Sequence, residues 1–184
     1  MARIIVGNSE AFLFATRWID TESALPANLK RLADLYAAGT ISPDEYLSRV
    51  MEAVQGQSRR IEEARSTLAV IEEVAGSAPA ILAGSLHTEP ESEPISLLTE
   101  AGLVDSFASA TGAFTRDAQR NMIIRRYFIA DDGGASPARV DYLFIRGEGL
   151  SVVSRELAFD DSTFDTHPSD HFGLVVDIAI SDGS

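Results

Sequence analysis

Residues 79–94 read P-A-I-L-A-G-S-L-H-T-E-P-E-S-E-P, from Pro79 to Pro94. The apolar run Ala80-Ile81-Leu82-Ala83 stops at Gly84, and a polar loop with Ser85, His87, Thr88 and Glu89 follows. A short apolar run ended by glycine reads as a buried strand whose end carries polar side chains to a rim. Pro90 and Pro94 stiffen the exit of that loop. A rigid strand end feeding an exposed loop is a common place for chemistry in α/β proteins.

Outward from this stretch the pattern is of strands with helices between. Arg3 to Gly7 and Ala11 to Ile19 are apolar runs joined by Asn8-Ser9-Glu10, which reads as a hairpin. From Pro26 to Gly76 the period becomes helical. Leu29, Leu32, Leu35 and Tyr36 share one face, and Gly39 ends that helix. Ser42-Pro43-Asp44-Glu45 opens a second, with Ser42 as N-cap and Pro43 in the first position. Gln55-Gly56-Gln57 reads as a break, with a third helix from Ser58 to Ala75 closed by Gly76. Ser92 to Ala101 reads as a short helix. Met122 to Ala130 reads as a strand and Asp131-Asp132-Gly133-Gly134 as a turn. Ala138 to Ile145, Gly149 to Phe159 and Phe172 to Ile180 read as three more strands. The class is α/β or α+β, as one domain spanning 1–184 with a helical hairpin insertion at 26–57.

Charge and composition bound what such a domain can do. There are 28 acidic and 15 basic residues, a net charge of −13, which repels long nucleic acid and anionic membranes. The cluster Arg116, Arg120, Arg125 and Arg126 reads as a solvated loop and strand edge. With no cysteine, disulfides and thiolate chemistry are excluded. No run approaches the roughly 18–20 apolar residues of a membrane span, and the N-terminus lacks a signal peptide's apolar region. A soluble, cytoplasmic protein is expected.

Three segments combine polar groups with strand ends. Gly84-Ser85-Leu86-His87 follows a buried strand. Val140-Asp141-Tyr142 places a carboxylate inside an apolar strand, where it needs a partner. Pro168-Ser169-Asp170-His171 sits at a strand entrance. A buried Asp on a neighbouring strand can fix the tautomer of such a histidine. The three histidines, His87, His167 and His171, fall in two of these loops.

In this order the segments resemble the endonuclease/exonuclease/phosphatase family of DNase I-like metal-dependent phosphoesterases. The matching pieces are F-A-T-R-W-I-D, I-L-A-G-S-L-H-T-E-P-E-S-E-P-I, A-R-V-D-Y-L-F-I and P-S-D-H-F-G-L-V, spanning Phe12 to Ile180. The resemblance implies a partial two-sheet sandwich with flanking helices, and a divalent-metal site (Mg or Mn in an active member) at one end of the sheets. It makes Asp170 a metal ligand, His171 the contact to the scissile phosphate and Asp141 the group that orients His171. Ser85 stands where the family has the Asp that aligns the attacking water, His87 where it has an Asn, and Arg17 where it has a His. The family's first half, with its metal-binding Asn and Glu, has no counterpart here. A second, short resemblance, from Leu29 to Val54, is to the SHOCT helical module, which implies a contact surface.

Those replacements bear on activity. A serine hydroxyl is neutral near pH 7 and is no general base unaided. Arg17 adds a positive charge that holds phosphate but opposes a metal, and Mg²⁺ wants carboxylate oxygens. Losing one catalytic group costs about 10² to 10⁴ in rate. The leading expectation is a degenerate phosphoesterase, a pseudoenzyme with weak or no hydrolysis of its phosphate ester. A working hydrolase is the alternative, either completed by a partner chain or built on a transition-metal site from His87, His171 and Asp170. A third reading is an assembly module or homo-oligomer using the helical insert and open strand edges.

Overall fold

In the computed structural model the described residues are 1–6, 9–18, 26–127, 137–161 and 166–181. The turn read at 131–134 and the link at 7–8 lie outside them, as do Ile19 and the end of the run at 128–130. The chain opens with β1 (Ala2–Val6) and β2 (Ser9–Arg17), paired antiparallel with Val6 opposite Ser9, so the hairpin is as expected. Two helices follow, α1 (Pro26–Ala37) and α2 (Pro43–Ala75), and then β3 (Ala80–Ser85). β3 lies parallel to β2. Parallel neighbours need a crossover, and the two helices supply it.

Ser42 caps α2 as read: its Oγ accepts the Glu45 N–H at 3.2 Å, with Pro43 in the first turn. The break read at Gln55-Gly56-Gln57 is not there. α2 runs unbroken for 33 residues, about 50 Å at 1.5 Å per residue. Gly56 lies on the buried face with Ala53, Arg60 and Ala64. A helical glycine costs about 1 kcal/mol against alanine. Gly56 is buried in the helix and does not end it. Residue 57 therefore lies inside α2.

After β3 come α3 (Glu93–Glu100), β4 (Val104–Asp105), α4 (Met122–Tyr127), β5 (Asp141–Arg146), β6 (Leu150–Ala158) and β7 (Gly173–Ile180). One sheet has the order β1-β2-β3-β5-β4, and β6 and β7 form a separate antiparallel pair. β5 touches both strands of that pair. The architecture is mixed α/β, as expected, with a five-stranded sheet, a two-stranded sheet and helices. Among the described residues no helix is long and apolar enough to cross a membrane.

Met122 to Tyr127 is helical rather than extended, which corrects the strand read at Met122 to Ala130. The helix start is held by side chains. Asn121 Oδ1 accepts from the Ile123 and Ile124 N–H groups at 2.9 and 3.2 Å, and His167 Nδ1 accepts from Met122 N–H at 3.1 Å. A capped first turn outweighs the weak β preference of two isoleucines. The strand read from Ala138 begins at Asp141, with Ala138 instead bridging Arg116.

The sheet has two unlike faces. Phe14, Leu82 and Phe144 are in register and point into a core with Ala64, Ile71 and Ala75 of α2 and Ile95 and Leu98 of α3. Three residues further along each strand, the row Arg17, Ser85 and Asp141 lies side by side. Side chains alternate along a strand, so this row projects from the face opposite the helices.

Candidate functional site

The site is assembled at the ends of β2, β3 and β5. Val140 C=O accepts from both Leu86 N–H and His87 N–H, at 2.8 and 3.2 Å, and Trp18 N–H donates to Ser85 C=O at 2.9 Å. These bonds hold the loop after β3 against its two neighbouring strands. His87 has φ 46, in the left-handed region. Non-glycine residues rarely adopt it, and Asn, Asp and His are enriched there. An imidazole therefore stands at a backbone position that also suits Asn.

At the centre, His171 Nδ1 lies 2.8 Å from Asp141 Oδ2, with each side chain about one-fifth exposed. The Nδ1–H donates to the carboxylate, so the outer Nε2 is the nitrogen available to a ligand. Asp141 also accepts hydrogen bonds from the hydroxyls of Thr115 and Ser85. Ser85 Oγ in turn lies 3.3 Å from His87 Nε2. The rings of His87 and His171 meet edge to face with centroids 5.9 Å apart. Thus Ser85, His87, Asp141 and His171 are brought together. Arg17 shares their row, beside Ser85.

The loop that delivers His171 is anchored from below. Asn121 Nδ2 donates to Ser169 C=O at 2.9 Å, Phe172 N–H donates to Thr115 C=O at 2.7 Å, and His171 N–H donates to Ser169 Oγ at 3.2 Å. Asp170 accepts from the Ser169 hydroxyl at 3.2 Å and adds its charge to the field at His171. Thr115 and Asn121 are fully buried and were not legible as site residues, because nothing in their local sequence marks a partner 25 or 48 residues away. The arginine cluster separates. Arg116 lies close enough to oppose the charge on His171, while Arg120 pairs with Asp160 at 2.6 Å and stacks on Phe172, and Arg126 stacks on Tyr127. His167 is buried away from this group, against Phe172, and serves the start of α4.

Burial opposes charge on both partners of the pair, but their contact wins. Burial would lower His171; the hydrogen bond and charge of Asp141, helped by Asp170, outweigh it and hold the imidazolium above its ordinary 6.5. Burial would raise Asp141; the bond and charge of His171, with the Thr115 and Ser85 hydroxyls, hold it below its ordinary 3.8. The signs give a window. Asp141 contributes stability above 3.8 that is lost as pH falls through its lowered value, and His171 contributes below 6.5 what is lost as pH rises through its raised value. The pair is therefore fully ionic between 3.8 and 6.5. Asp141→Asn removes the carboxylate and leaves burial and Arg116 lowering the imidazole against the charge of Asp170, which raises it. The His171 midpoint, followed by NMR of its ring protons against pH, then falls from its wild-type position; an unchanged midpoint contradicts the assignment.

The metal implied by the family resemblance needs several hard oxygen donors. The donor set does not fit one. Among the described residues no three His, Asp or Glu side chains are grouped to hold a metal ion. The Asp141 carboxylate is committed to His171, Thr115 and Ser85, and Ser85 offers a neutral hydroxyl. Among the described residues no set of donors surrounds Asp170 or His87, so neither ligand role gains support there.

No protein-family model and no curated protein matches the sequence. Solved structures do. The endonuclease/exonuclease/phosphatase from Bacteroides vulgatus matches with a TM-score of 0.53 at 19% identity, over 68% of this chain and 46% of that one. A conserved protein of unknown function from Enterococcus faecalis matches with a TM-score of 0.50 at 22% identity, over 68% and 46%. A humanized D. rerio TDP2 matches with a TM-score of 0.56 at 14% identity, over 96% of this chain and 58% of that one. The chain thus spans about half the length of the structures it matches. Over that half, the chain has the DNase I-like fold of the endonuclease/exonuclease/phosphatase proteins.

Proposed function

We propose that the chain is a divergent member of the endonuclease/exonuclease/phosphatase phosphoesterases that binds a phosphate ester at the His171–Asp141 pair with weak or no metal-dependent hydrolysis. The 2.8 Å contact between His171 Nδ1 and Asp141 Oδ2 carries this reading. A carboxylate-backed imidazolium directs a charged N–H outward, which is the donor a phosphate oxygen prefers. Arg17 and Arg116 add positive charge at the same rim of an otherwise acidic protein. Hydrolysis asks for more: an aligned water and a group to take its proton. Ser85 supplies neither, and among the described residues no group of three His, Asp or Glu side chains is placed to hold a metal that would activate a water.

The test has two arms on the same purified chain. Inorganic phosphate is titrated while the imidazole resonances of His171 are followed. In parallel, an activated aryl phosphodiester is offered with Mg²⁺, Mn²⁺ and Zn²⁺, to the wild type and to Asp170→Ala and His171→Ala. The expected result is saturable phosphate binding at His171 and no metal-dependent turnover above buffer. Metal-dependent turnover abolished in both variants overturns the degenerate reading.

One observation favours a second reading, in which another polypeptide or a further part of a longer one completes the sandwich. β1 lies at the edge of the five-stranded sheet with Ala2, Arg3 and Ile5 exposed. An exposed apolar edge strand is a template for further pairing. Sedimentation of the wild type against Ile4→Pro tests pairing of this edge with a second copy of the chain: a monomer in both discards completion by self-association.

A further inference from the structure

Thr115 is fully buried, and its contacts reach both members of the His171–Asp141 pair. Its Oγ1 accepts from Val140 N–H at 3.1 Å and from Asp141 N–H at 3.2 Å. Its C=O accepts from Phe172 N–H at 2.7 Å, and Phe172 follows His171 directly. The next residue holds it in place: Arg116 and Ala138 exchange backbone hydrogen bonds at 2.9 and 2.8 Å, just before β5. A hydroxyl has one proton to give and two lone pairs. With both lone pairs of Oγ1 taken by N–H groups, its proton is left to donate, and the Asp141 carboxylate receives it. The geometry points to Thr115 as the positioning residue of the phosphate contact, fixing the Asp141 carboxylate through its hydroxyl and the His171 loop through its carbonyl. This rests on the reading that the His171–Asp141 pair binds a phosphate ester.

The other donors to Asp141 cannot do this work. His171 Nδ1–H, 2.8 Å from Oδ2, is the bond to be fixed. Ser85 is only half-buried, so a water can stand in for its hydroxyl. Thr115 has no exposure, and a water reaches the place of its hydroxyl only by displacing packed atoms. An aspartate carboxylate turns over a broad range about its last torsion, so a buried donor is needed to hold one oxygen towards the imidazole. Held in that way, the pair keeps a proton on Nδ1 and points Nε2–H outward to a phosphate oxygen. A carboxylate left to turn lets the ring rotate or change tautomer, and the outward donor is lost for part of the time. The hydroxyl also reaches a third segment. It holds Val140, whose C=O accepts from Leu86 and His87 N–H. One side chain and its carbonyl tie together the start of β5, the loop after β3 and the loop before β7.

Thr115→Val keeps the shape and removes the hydroxyl, and Thr115→Ser keeps the hydroxyl and removes a methyl group. Two readouts are taken on each purified protein near pH 6: proton NMR of the His171 Nδ1–H, and titration of inorganic phosphate. An Nδ1–H held in a charge-assisted bond gives its own downfield resonance. The wild type and Thr115→Ser are expected to show that resonance and to bind phosphate alike. Thr115→Val is expected to lose or shift it and to bind about 10-fold more weakly, the lower end of the loss when the group behind an oriented histidine is removed. Where Thr115→Val does not fold, Thr115→Ser and the hydroxyl proton of wild-type Thr115 decide. A locked hydroxyl proton exchanges slowly enough with water to give a resonance of its own. A folded Thr115→Val with the wild-type resonance and affinity overturns the inference. So does a Thr115→Ser that has lost both, or a Thr115 hydroxyl proton in rapid exchange. No phosphate binding by the wild type, or unchanged binding in a Thr115→Val that has lost the resonance, would instead bring down the binding reading beneath it. The Nδ1–H resonance still reports the positioning in that case.

Discussion

Gly84→Ala is expected to cost about 4 kcal/mol or more, a large fraction of a stability of roughly 5–15 kcal/mol. The cause is a backbone contact. A Cβ built on Gly84 falls 2.0 Å from the carbonyl oxygen of Thr16 and 2.9 Å from its carbonyl carbon. Both atoms belong to β2, which is paired with β3 from Phe12 to Arg17. A side chain can swing aside, but a paired backbone moves only if the two strands separate. Gly84 also precedes Ser85 directly, so any displacement reaches the Arg17–Ser85–Asp141 row. Urea unfolding of the two proteins measures the effect. A change under about 1 kcal/mol would mean that the strands are not packed as described.

Asp105→Ala is expected to cost about 3–5 kcal/mol, because it leaves a buried arginine without its counter-charge. Arg139 donates to Asp105 through both terminal nitrogens, at 3.0 and 2.7 Å, and both side chains are under one-tenth exposed. The guanidinium also stacks over Tyr142 at 4.6 Å. Asp105 further accepts from Phe107 N–H at 2.9 Å, so the loss touches the turn after β4. Removing both charges is a different matter. Taking two ions out of water is costly, and an apolar pair of similar volume can be neutral or better. Asp105→Leu with Arg139→Met is therefore expected to recover most of the stability lost in Asp105→Ala. A double-mutant cycle by thermal or urea unfolding reports it. A double-variant loss equal to the sum of the Asp105→Leu and Arg139→Met losses would mean the pair is not coupled.

These residues also show what was readable in advance. The run from Ala80 to Gly84 announced its strand because apolar residues, a glycine and a polar loop follow one another within eight positions. Ser42-Pro43 announced the start of α2 because a cap is made within one turn. Asp141 and His171 were legible as partners through the family resemblance, and they meet at 2.8 Å. What was misread depended on distant groups. Gly56 reads as a stop locally but lies buried inside α2 with Ala53, Arg60 and Ala64. Met122 to Tyr127 has strand-like residues, yet its helix is started by Asn121 and by His167, 45 residues away. Thr115 orders the first residues of β5 through Val140 and Asp141 N–H, and its own stretch carries no pattern that says so. The four arginines looked like one cluster because they are close in sequence, but only Arg116 acts on the site histidine. Charge counts along a chain do not say which way each side chain turns.

The proposal to be tested is that the carboxylate-backed imidazole binds phosphate with weak or no metal-dependent hydrolysis. The most direct measurement is the titration of inorganic phosphate into the wild type and His171→Ala, near pH 6, where the pair is ionic. Saturable movement of the His171 ring resonances in the wild type, and loss of binding in the variant, is the predicted result. Unmoved His171 resonances at saturating phosphate, or equal binding by His171→Ala, would contradict it.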